Sequence, residues 1–423
     1  MKSFIIQLGS FGLLMTLAAG QCRADKRVLM IGIDGAGGSY TQTANTPNID
    51  ALSANGAVRY DFLNEGALIG NPPEAYGASG VNWTTMNTGA SAASHGASDN
   101  GFGGNNLVNF PHWFKFIKDH DPNLYTASIV NWEPINDQIL PDQYADLEIG
   151  YSGLPLDVED GLVKDSVVNL LSTGDPDAIF VHFDQVDGAG HATGWGSNDY
   201  YAAISTVDGL IGEIMSALNS RPGVINQTED WLVLISADHG GALGSFSHVA
   251  SQGPINWEVP MVVSGPSVPN GSLLNQGTLR DMATTALWHL GIDPFASSTE
   301  GSIIGIPLAP NGIEGDVNQD GVVSGDGTGP AASDDVTAFV RGWLTSGHGS
   351  VLQAYGHGDL NLDRITDLED WIILNRLDPA MAQSALAAIQ SIPEPSTLLM
   401  ATLAFLPALR WRPGNRPGRS NRR

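Results

Sequence analysis

Between residues 27 and 310 the chain alternates short apolar runs with longer stretches in which apolar residues return every third or fourth position. Val28-Leu29-Met30-Ile31-Gly32-Ile33, Ala127-Ser128-Ile129-Val130, Ala178-Ile179-Phe180-Val181 and Trp231-Leu232-Val233-Leu234-Ile235 have almost no polar face, the pattern of strands covered on both sides. Pro260-Met261-Val262-Val263 is a weaker fifth. Helical spacing runs from Trp113 to Asp119, Leu162 to Leu171, Tyr200 to Leu218 and Leu279 to Leu290. The alternation predicts an α/β fold, a mostly parallel sheet sandwiched by helices. Ligands of such sheets gather beyond the carboxyl ends of the strands, so the chemistry belongs in the residues that follow each run.

Asp34-Gly35 follows the first run, Phe183-Asp184-Gln185-Val186-Asp187-Gly188-Ala189-Gly190-His191 the third, and Ser236-Ala237-Asp238-His239-Gly240-Gly241 the fourth, with His248 nine residues beyond His239. Singly these are ordinary: Asp-Gly is a common turn, and a lone histidine is usually a satisfied polar residue. Together they place Asp34, Asp187, Asp238, His191, His239 and His248 on one rim of one sheet. Carboxylate with imidazole is the ligand set of zinc or a similar divalent ion, and six such groups suffice for two ions. Magnesium or calcium alone would want oxygen ligands. A further segment, Ser79-Gly80-Val81-Asn82-Trp83, opens a plausible helix, where a serine hydroxyl and free backbone N–H groups lie where an oxyanion could sit. The plainer alternative is a capping serine.

The order of these islands resembles the alkaline-phosphatase superfamily, in particular its branch of type I phosphodiesterases and nucleotide pyrophosphatases. Thr46-Pro47-Asn48-Ile49-Asp50 and Thr88-Gly89 with Ser94-His95-Gly96 look like two further landmarks. The resemblance covers about residues 27–310. It implies an alkaline-phosphatase-like fold and a phosphoester hydrolase in which Ser79 is the nucleophile, passing through a phosphoserine, and Asn82 binds a non-bridging phosphoryl oxygen. One ion, zinc by expectation, would be held by Asp187, His191 and His248, and the other by Asp34, Asp238, His239 and the Ser79 alkoxide. Two such ions about 4 Å apart lower a serine pKa, clamp the transferring group and stabilise the leaving oxygen without a histidine base. Two departures stand out. Gly80-Val81 replaces the Phe-Pro of many phosphodiesterase relatives, and Val81 and Trp83 occupy the proline and arginine positions that conventional sulfatases need. The alternatives are a phosphomonoesterase or sulfatase-like hydrolase on the same scaffold, or a non-catalytic surface binding protein with structural metals.

Composition narrows the classes. There are 45 Asp+Glu against 19 Lys+Arg, a net charge of -26. Six of the basic residues, Arg410, Arg412, Arg416, Arg419, Arg422 and Arg423, sit at the end, leaving 13 for the rest. So acidic a body repels phosphate backbones, which excludes a nucleic-acid-binding surface. A hydrophobic content of 42% excludes wholesale disorder.

After residue 311 the chain turns rich in Gly, Asp and Asn. Asp316, Asn318, Asp320 and Gly321 have calcium-loop spacing, with Gly327 where the twelfth-position acid belongs; an insertion from Gly325 to Ala332 delays that acid to Asp334 or Asp335. A second copy, Asp359, Asn361, Asp363, Asp367 and Asp370, is in register except for Arg364 at the usual glycine. Each loop precedes a helical pattern, Val336 to Leu344 and Trp371 to Leu377. The pair resembles a type I dockerin, a small α-helical calcium-loop module, which implies bound calcium and a possible cohesin-like partner.

The ends carry their own signals. Lys2 and the apolar run up to Ala19 read as an export signal, with the mature chain starting between residues 20 and 25. Cys22 is the only cysteine, so no internal disulfide can form. Pro393-Glu394-Pro395, the apolar stretch Leu398 to Leu409 and the arginine tail resemble a PEP-CTERM sorting signal, read by an exosortase; the apolar stretch is shorter than the ~20 residues of a spanning helix. The expected layout is 1–24 signal peptide, 25–310 metallohydrolase domain, 311–380 calcium-loop repeat, 381–392 linker and 393–423 sorting tail. The expected protein is bacterial, exported to the envelope or beyond, processed by signal peptidase and exosortase, and acts on a small phosphoester.

Overall fold

The first apolar run becomes β1 (Asp25–Ile33), in which Val28, Leu29, Met30 and Ile31 are wholly buried. Both faces of β1 can be apolar because it lies inside the sheet, paired in parallel with β5 (Ala178–Phe183) on one side and β6 (Glu229–Ser236) on the other. The computed structural model describes residues 24–68 and 77–391. The expected signal peptide, apart from Ala24, and the expected sorting tail lie outside the described residues. Among the described residues no helix is long and apolar enough to cross a membrane.

The remaining strands are β2 (Gly56–Leu63), β3 (Thr126–Val130), β4 (Leu147–Gly150), β7 (Glu258–Ser264) and β8 (Ser272–Leu273), and the sheet order is β4-β3-β5-β1-β6-β7-β2-β8. From β4 to β6 the pairing is parallel throughout. The fifth run, β7, departs from the parallel expectation: it is antiparallel to both β6 and β2. Its connection from β6 crosses only the rim, residues 237–257, with no long crossover helix, and a return of that kind reverses the strand. β2 and β4 are strands that the periodicity did not announce. β4 is a four-residue edge strand alternating half-buried and exposed positions. β2 carries Arg59 and Asp61 and is broken by a bulge between Arg59 and Phe62, which interrupts its alternation.

Helices cover the sheet. Leu156–Thr173 and Asn198–Asn219 pack on each other, the former also on β3 and β5, while Arg280–His289 packs on β1, β6 and the helix Ser79–Thr88. The register sets the site: Gly32 of β1 lies level with His182 of β5 and Ser236 of β6. Two residues further on, Asp34, Asp184 and Asp238 therefore leave the sheet side by side.

The chain divides into two compact units at Pro307 and Leu308. The second unit has its own core, with Val317, Val336, Phe339, Leu360, Leu362 and Leu374 buried. Residues 381–392, expected as a linker, instead fall largely within the helix Pro379–Gln390. Asp378 caps that helix by accepting from the Ala380 and Met381 N–H groups, Pro379 occupies its first turn, and Met381, Ala382 and Ala385 are buried. An alanine-rich apolar face carries little hydrophobic contrast, which is why its periodicity went unread.

Candidate active site

Gly35, after β1, has a φ of 72°, and a Cβ there would lie 2.8 Å from the Asp187 Cα. That contact pins the turn after β1 to the helix Gln185–Thr193, which carries Asp187 and His191 one turn apart. The start of this helix is held by Asp160, wholly buried in the helix Leu156–Thr173, whose carboxylate accepts from the Asp184 and Gln185 N–H groups at 2.9 and 3.1 Å. Replacing Gly35 by alanine is expected to cost about 1–3 kcal/mol from the forced backbone alone, and to impair turnover. Gly209, in a helix interior with no atom within 4 Å of its would-be Cβ, should instead gain up to about 1 kcal/mol as alanine. Thermal unfolding of the two variants checks the contrast.

Ser79 opens the helix Ser79–Thr88, and the capping position belongs to Ala78, so Ser79 is not the capping serine. Its Oγ lies 3.2 Å from His239 Nε2 and 3.5 Å from Asp34 Oδ1, in a site where Ser79 is 6% exposed. Three groups of Asp and His bring ligand atoms within 4.8 Å of one another: Asp34, Asp238 and His239; Asp187, His239 and His248; and Asp34, His182 and Asp184. His191 stays at the outer edge, 45% exposed at its side chain, with Nε2 3.3 Å from Asp187 Oδ2. In the close group around Asp187 it is His239 that accompanies His248, and the two rings stack at 3.6 Å.

The hydrogen bonds assign the tautomers. His239, His248 and His191 each place Nδ1 against a carbonyl oxygen, of Gly240 at 3.1 Å, Gly77 at 3.0 Å and Phe246 at 2.8 Å. An imidazole that donates its Nδ1 proton in this way presents a bare lone pair at Nε2. His239 Nε2 faces Asp238 Oδ2 at 3.3 Å and Asp34 Oδ1 at 3.4 Å, and His248 Nε2 faces Asp187 Oδ1 at 3.8 Å. Asp187 Oδ1 and Asp238 Oδ2 are buried without a hydrogen-bond partner. Carboxylate and imidazole lone pairs that converge around the Ser79 hydroxyl, with Asp187 Oδ1 and Asp238 Oδ2 left unpartnered, fit a site built for cations.

The electrostatics follow from burial. Burial would raise the Asp34 carboxyl, but the His182 hydrogen bond and the nearby His239 outweigh it and hold it well below the usual carboxylate range. Burial and the Asp34 charge push Asp187 and Asp238 well above that range, and Asp184 up to about 7. Burial pushes His239 well down and His248 down, so both stand neutral as ligands must.

Asn82 is wholly buried; its Oδ1 accepts from the Glu65 N–H at 3.1 Å and its Nδ2 donates to the Ala78 carbonyl at 3.2 Å. The Thr46 to Asp50 landmark serves the scaffold: the Asn48 and Ile49 N–H groups donate to the Asp208 carboxylate. His95, buried, reaches Thr85 of the helix Ser79–Thr88 at 2.9 Å. Three residues at the site were not singled out in the sequence: His182, Asp184 and Trp83 as a partner of Asp34. A histidine inside the apolar run Phe180-Val181-His182-Phe183 was the available signal for the first, because a buried imidazole needs a partner.

In the second unit the two loops share a set of matching hydrogen bonds. Asp316 and Asn318 accept from the Asp320 N–H as Asp359 and Asn361 accept from the Asp363 N–H. Asp335 Oδ1 accepts from the Asn318 N–H at 2.9 Å, and Asp370 Oδ1 from the Asn361 N–H at 3.0 Å. Asp335 is therefore the twin of Asp370, whereas Asp334 caps the helix Asp335–Gly342 and gathers the N–H groups of the insertion. Arg364 takes the left-handed backbone of its glycine counterpart, φ 78° against 94° at Gly321. Asp367 caps the helix Leu368–Leu377.

Among curated proteins, the 2,3-bisphosphoglycerate-independent phosphoglycerate mutase of Syntrophotalea carbinolica is 31% identical over 148 residues, which cover 34% of this chain and 26% of that protein. That of Halobacterium salinarum is 30% identical over 148 residues, with the same coverage of each. The match thus spans about a quarter of the length of these relatives. Among solved structures, murine ectonucleotide pyrophosphatase / phosphodiesterase 5 in complex with AMP has 12% identity and a TM-score of 0.47, covering 63% of this chain and 95% of that one. A 2-O GAG sulfatase has 14% identity and a TM-score of 0.49, covering 63% and 71%. The sequence profile of one family matches residues 28–258, more than half of the 423-residue chain and a span that contains every Asp and His gathered at the rim. The chain belongs to the type I phosphodiesterase / nucleotide pyrophosphatase family.

Proposed function

We propose that this protein is an exported two-metal phosphodiester hydrolase with Ser79 as nucleophile. The observation that carries the reading is the buried Ser79 Oγ at a helix start, within 3.5 Å of Asp34 and His239, beside Asp187 Oδ1 and Asp238 Oδ2, which are buried without a hydrogen-bond partner. Asp34, Asp238 and His239 would hold one ion and Asp187, His191 and His248 the other, with zinc favoured by the imidazole share. Bound there, the ions would lower the pKa of the serine hydroxyl and offset the charge that develops on the transferring group. Ser79 Oγ attacks phosphorus as the bond to the leaving alkoxide breaks. Water then cleaves the phosphoserine, returning the hydroxyl and releasing the phosphomonoester. Asn82, its Oδ1 held by the Glu65 N–H, is the donor proposed for a non-bridging oxygen through Nδ2.

Charge favours the diester over the monoester. Every lysine and arginine among the described residues of this unit is paired with a carboxylate outside the site, as in Arg280 with Glu65 and Arg221 with Glu229. With no side-chain cation at the rim, a group carrying one negative charge is matched better than a dianion. Export, the removable sorting tail and a cohesin-like partner are proposed on the sequence patterns, and calcium in the second unit on those patterns together with the loop twinning.

The test is metal analysis together with turnover of bis-nitrophenyl phosphate, nitrophenyl phosphate and nitrophenyl sulfate. Close to two first-row ions per chain, loss of turnover with a chelator and preference for the diester are expected. Two bound ions with no cleavage of any ester would point to the binding-protein reading instead.

A further inference from the structure

Asp34 receives two hydrogen bonds on the same oxygen. The Trp83 indole Nε1 donates to Oδ2 at 3.0 Å, and His182 Nε2 lies 3.3 Å from that atom. His182 Nδ1 lies 3.4 Å from the Trp132 N–H, which makes Nδ1 the acceptor and leaves the ring proton on Nε2 to be donated to Asp34. The other oxygen, Oδ1, faces Ser79 Oγ and His239 Nε2. Trp83 and His182 are wholly buried and meet edge to face, ring centroids 4.7 Å apart.

The backbone is cut to fit this arrangement. A Cβ on Gly32 would lie 2.3 Å from the Trp83 ring, so β1 opens a slot for the indole two residues before Asp34, on the same face of the strand. Trp83 stands four residues after Ser79 in one helix, so the two side chains share a helix face. One rigid helix thereby sets the nucleophile and the orientation of Asp34.

We infer that Trp83 and His182 are positioning residues that cap Oδ2 and restrict Asp34 to binding a cation through Oδ1 alone, next to the serine. The inference rests on the two-metal reading above and names what makes that site single-edged at Asp34. Capping one oxygen excludes a bidentate carboxylate and excludes Asp34 from bridging to the neighbouring His182 and Asp184. A ligand held in one orientation loses less freedom when the ion arrives, and groups that orient a ligand in this way are worth about 10–100-fold in metal affinity.

The experiment is titration of the metal-free full-length chain with zinc against a competing chelator dye, with circular dichroism and thermal unfolding as controls on folding. Trp83→Phe keeps a ring in the slot and removes the N–H. It is expected to weaken one of two zinc sites by about 10–100-fold and to leave the other unchanged. His182→Gln, which retains a side-chain N–H, should keep affinity within about threefold, while His182→Leu should lose it as Trp83→Phe does. A purely packing role would lower the unfolding midpoint without separating the two sites. Wild-type affinity at both sites in folded Trp83→Phe and His182→Leu overturns the inference, and so does a further zinc ion in the wild type that is lost in His182→Leu, which would make Oδ2 and His182 ligands. A wild-type chain that binds two ions but cleaves no ester removes the hydrolase reading while the variant titrations still decide the clamp. A wild-type chain that binds none overturns both.

Discussion

Replacing Ser79 by alanine is expected to lower ester cleavage by roughly 10⁴-fold or more, the scale on which loss of a covalent nucleophile registers in other hydrolases, while the folded chain still takes up two ions. The two effects separate because the proposed mechanism makes Ser79 Oγ the reacting atom, whereas the imidazoles and carboxylates around it keep their own supports. His239 and His248 are anchored through Nδ1 to the Gly240 and Gly77 carbonyls, and Asp238 Oδ1 accepts from the Gly35 and His239 N–H groups. The alanine removes one oxygen from a buried helix start and leaves the helix intact. Rapid-quench detection of a phosphorylated intermediate in the wild type, absent from Ser79→Ala, is the matching readout. A variant that kept most of its activity would remove the covalent mechanism and shift attention to direct attack by water.

The second large effect concerns calcium in the C-terminal unit and has a definite pH dependence. Burial, with Asp370 and Asp363 close by, pushes the Asp359 carboxyl up to about 8, and burial pushes Asp370 up to about 7. A folded-state pKa raised above its unfolded value means that the folded unit binds more protons than the unfolded chain between about pH 4 and pH 8. The sign is therefore that the calcium-free unit loses stability as pH rises through that window. Calcium bound as proposed would replace those protons, so its stabilisation should be largest near pH 8 and small near pH 4. At a free concentration of 100 times Kd one site adds about 2.7 kcal/mol. For a unit of this size about 1 kcal/mol moves the midpoint by roughly 4–8 °C, so each filled loop should raise it by roughly 10–20 °C. Calorimetry of the full chain should show one transition that moves with calcium, and Asp359→Ala should remove about half of the gain. A thermogram unchanged by millimolar calcium at pH 8 would withdraw the calcium assignment and the dockerin resemblance with it.

How much of this was legible depends on the range of the interaction that decides each feature. The strands β1, β3, β5 and β6 and the helix from Asn198 were readable because burial on one or two faces leaves a local period. The rim residues Asp34, Asp187, His191, Asp238, His239 and His248 were readable because each follows such a run. The helix Pro379–Gln390 escaped because alanine marks a buried face weakly, and β4 because a four-residue edge strand carries almost no pattern. Asp334 and Asp335 could not be told apart, since neighbours in sequence differ only in which backbone N–H groups come to them.

By itself the sequence determined that parallel strands would end in Asp and His, that a serine would open a helix nearby, and that two acidic loops would repeat. Those features are written within a few residues of one another. The tertiary structure alone decided that β5 and β6 flank β1 in a register that brings Asp34, Asp184 and Asp238 level. It also decided that β7 runs backward, that His239 and His248 gather with Asp187 while His191 stays at the outer edge, and that Trp83 reaches through the slot at Gly32 to Asp34. The contacts of Asp34 with Trp83, His182 and His239 join residues 49, 148 and 205 positions apart. Only the closed, packed chain brings such groups within hydrogen-bond range, where distance and desolvation settle which lone pairs meet.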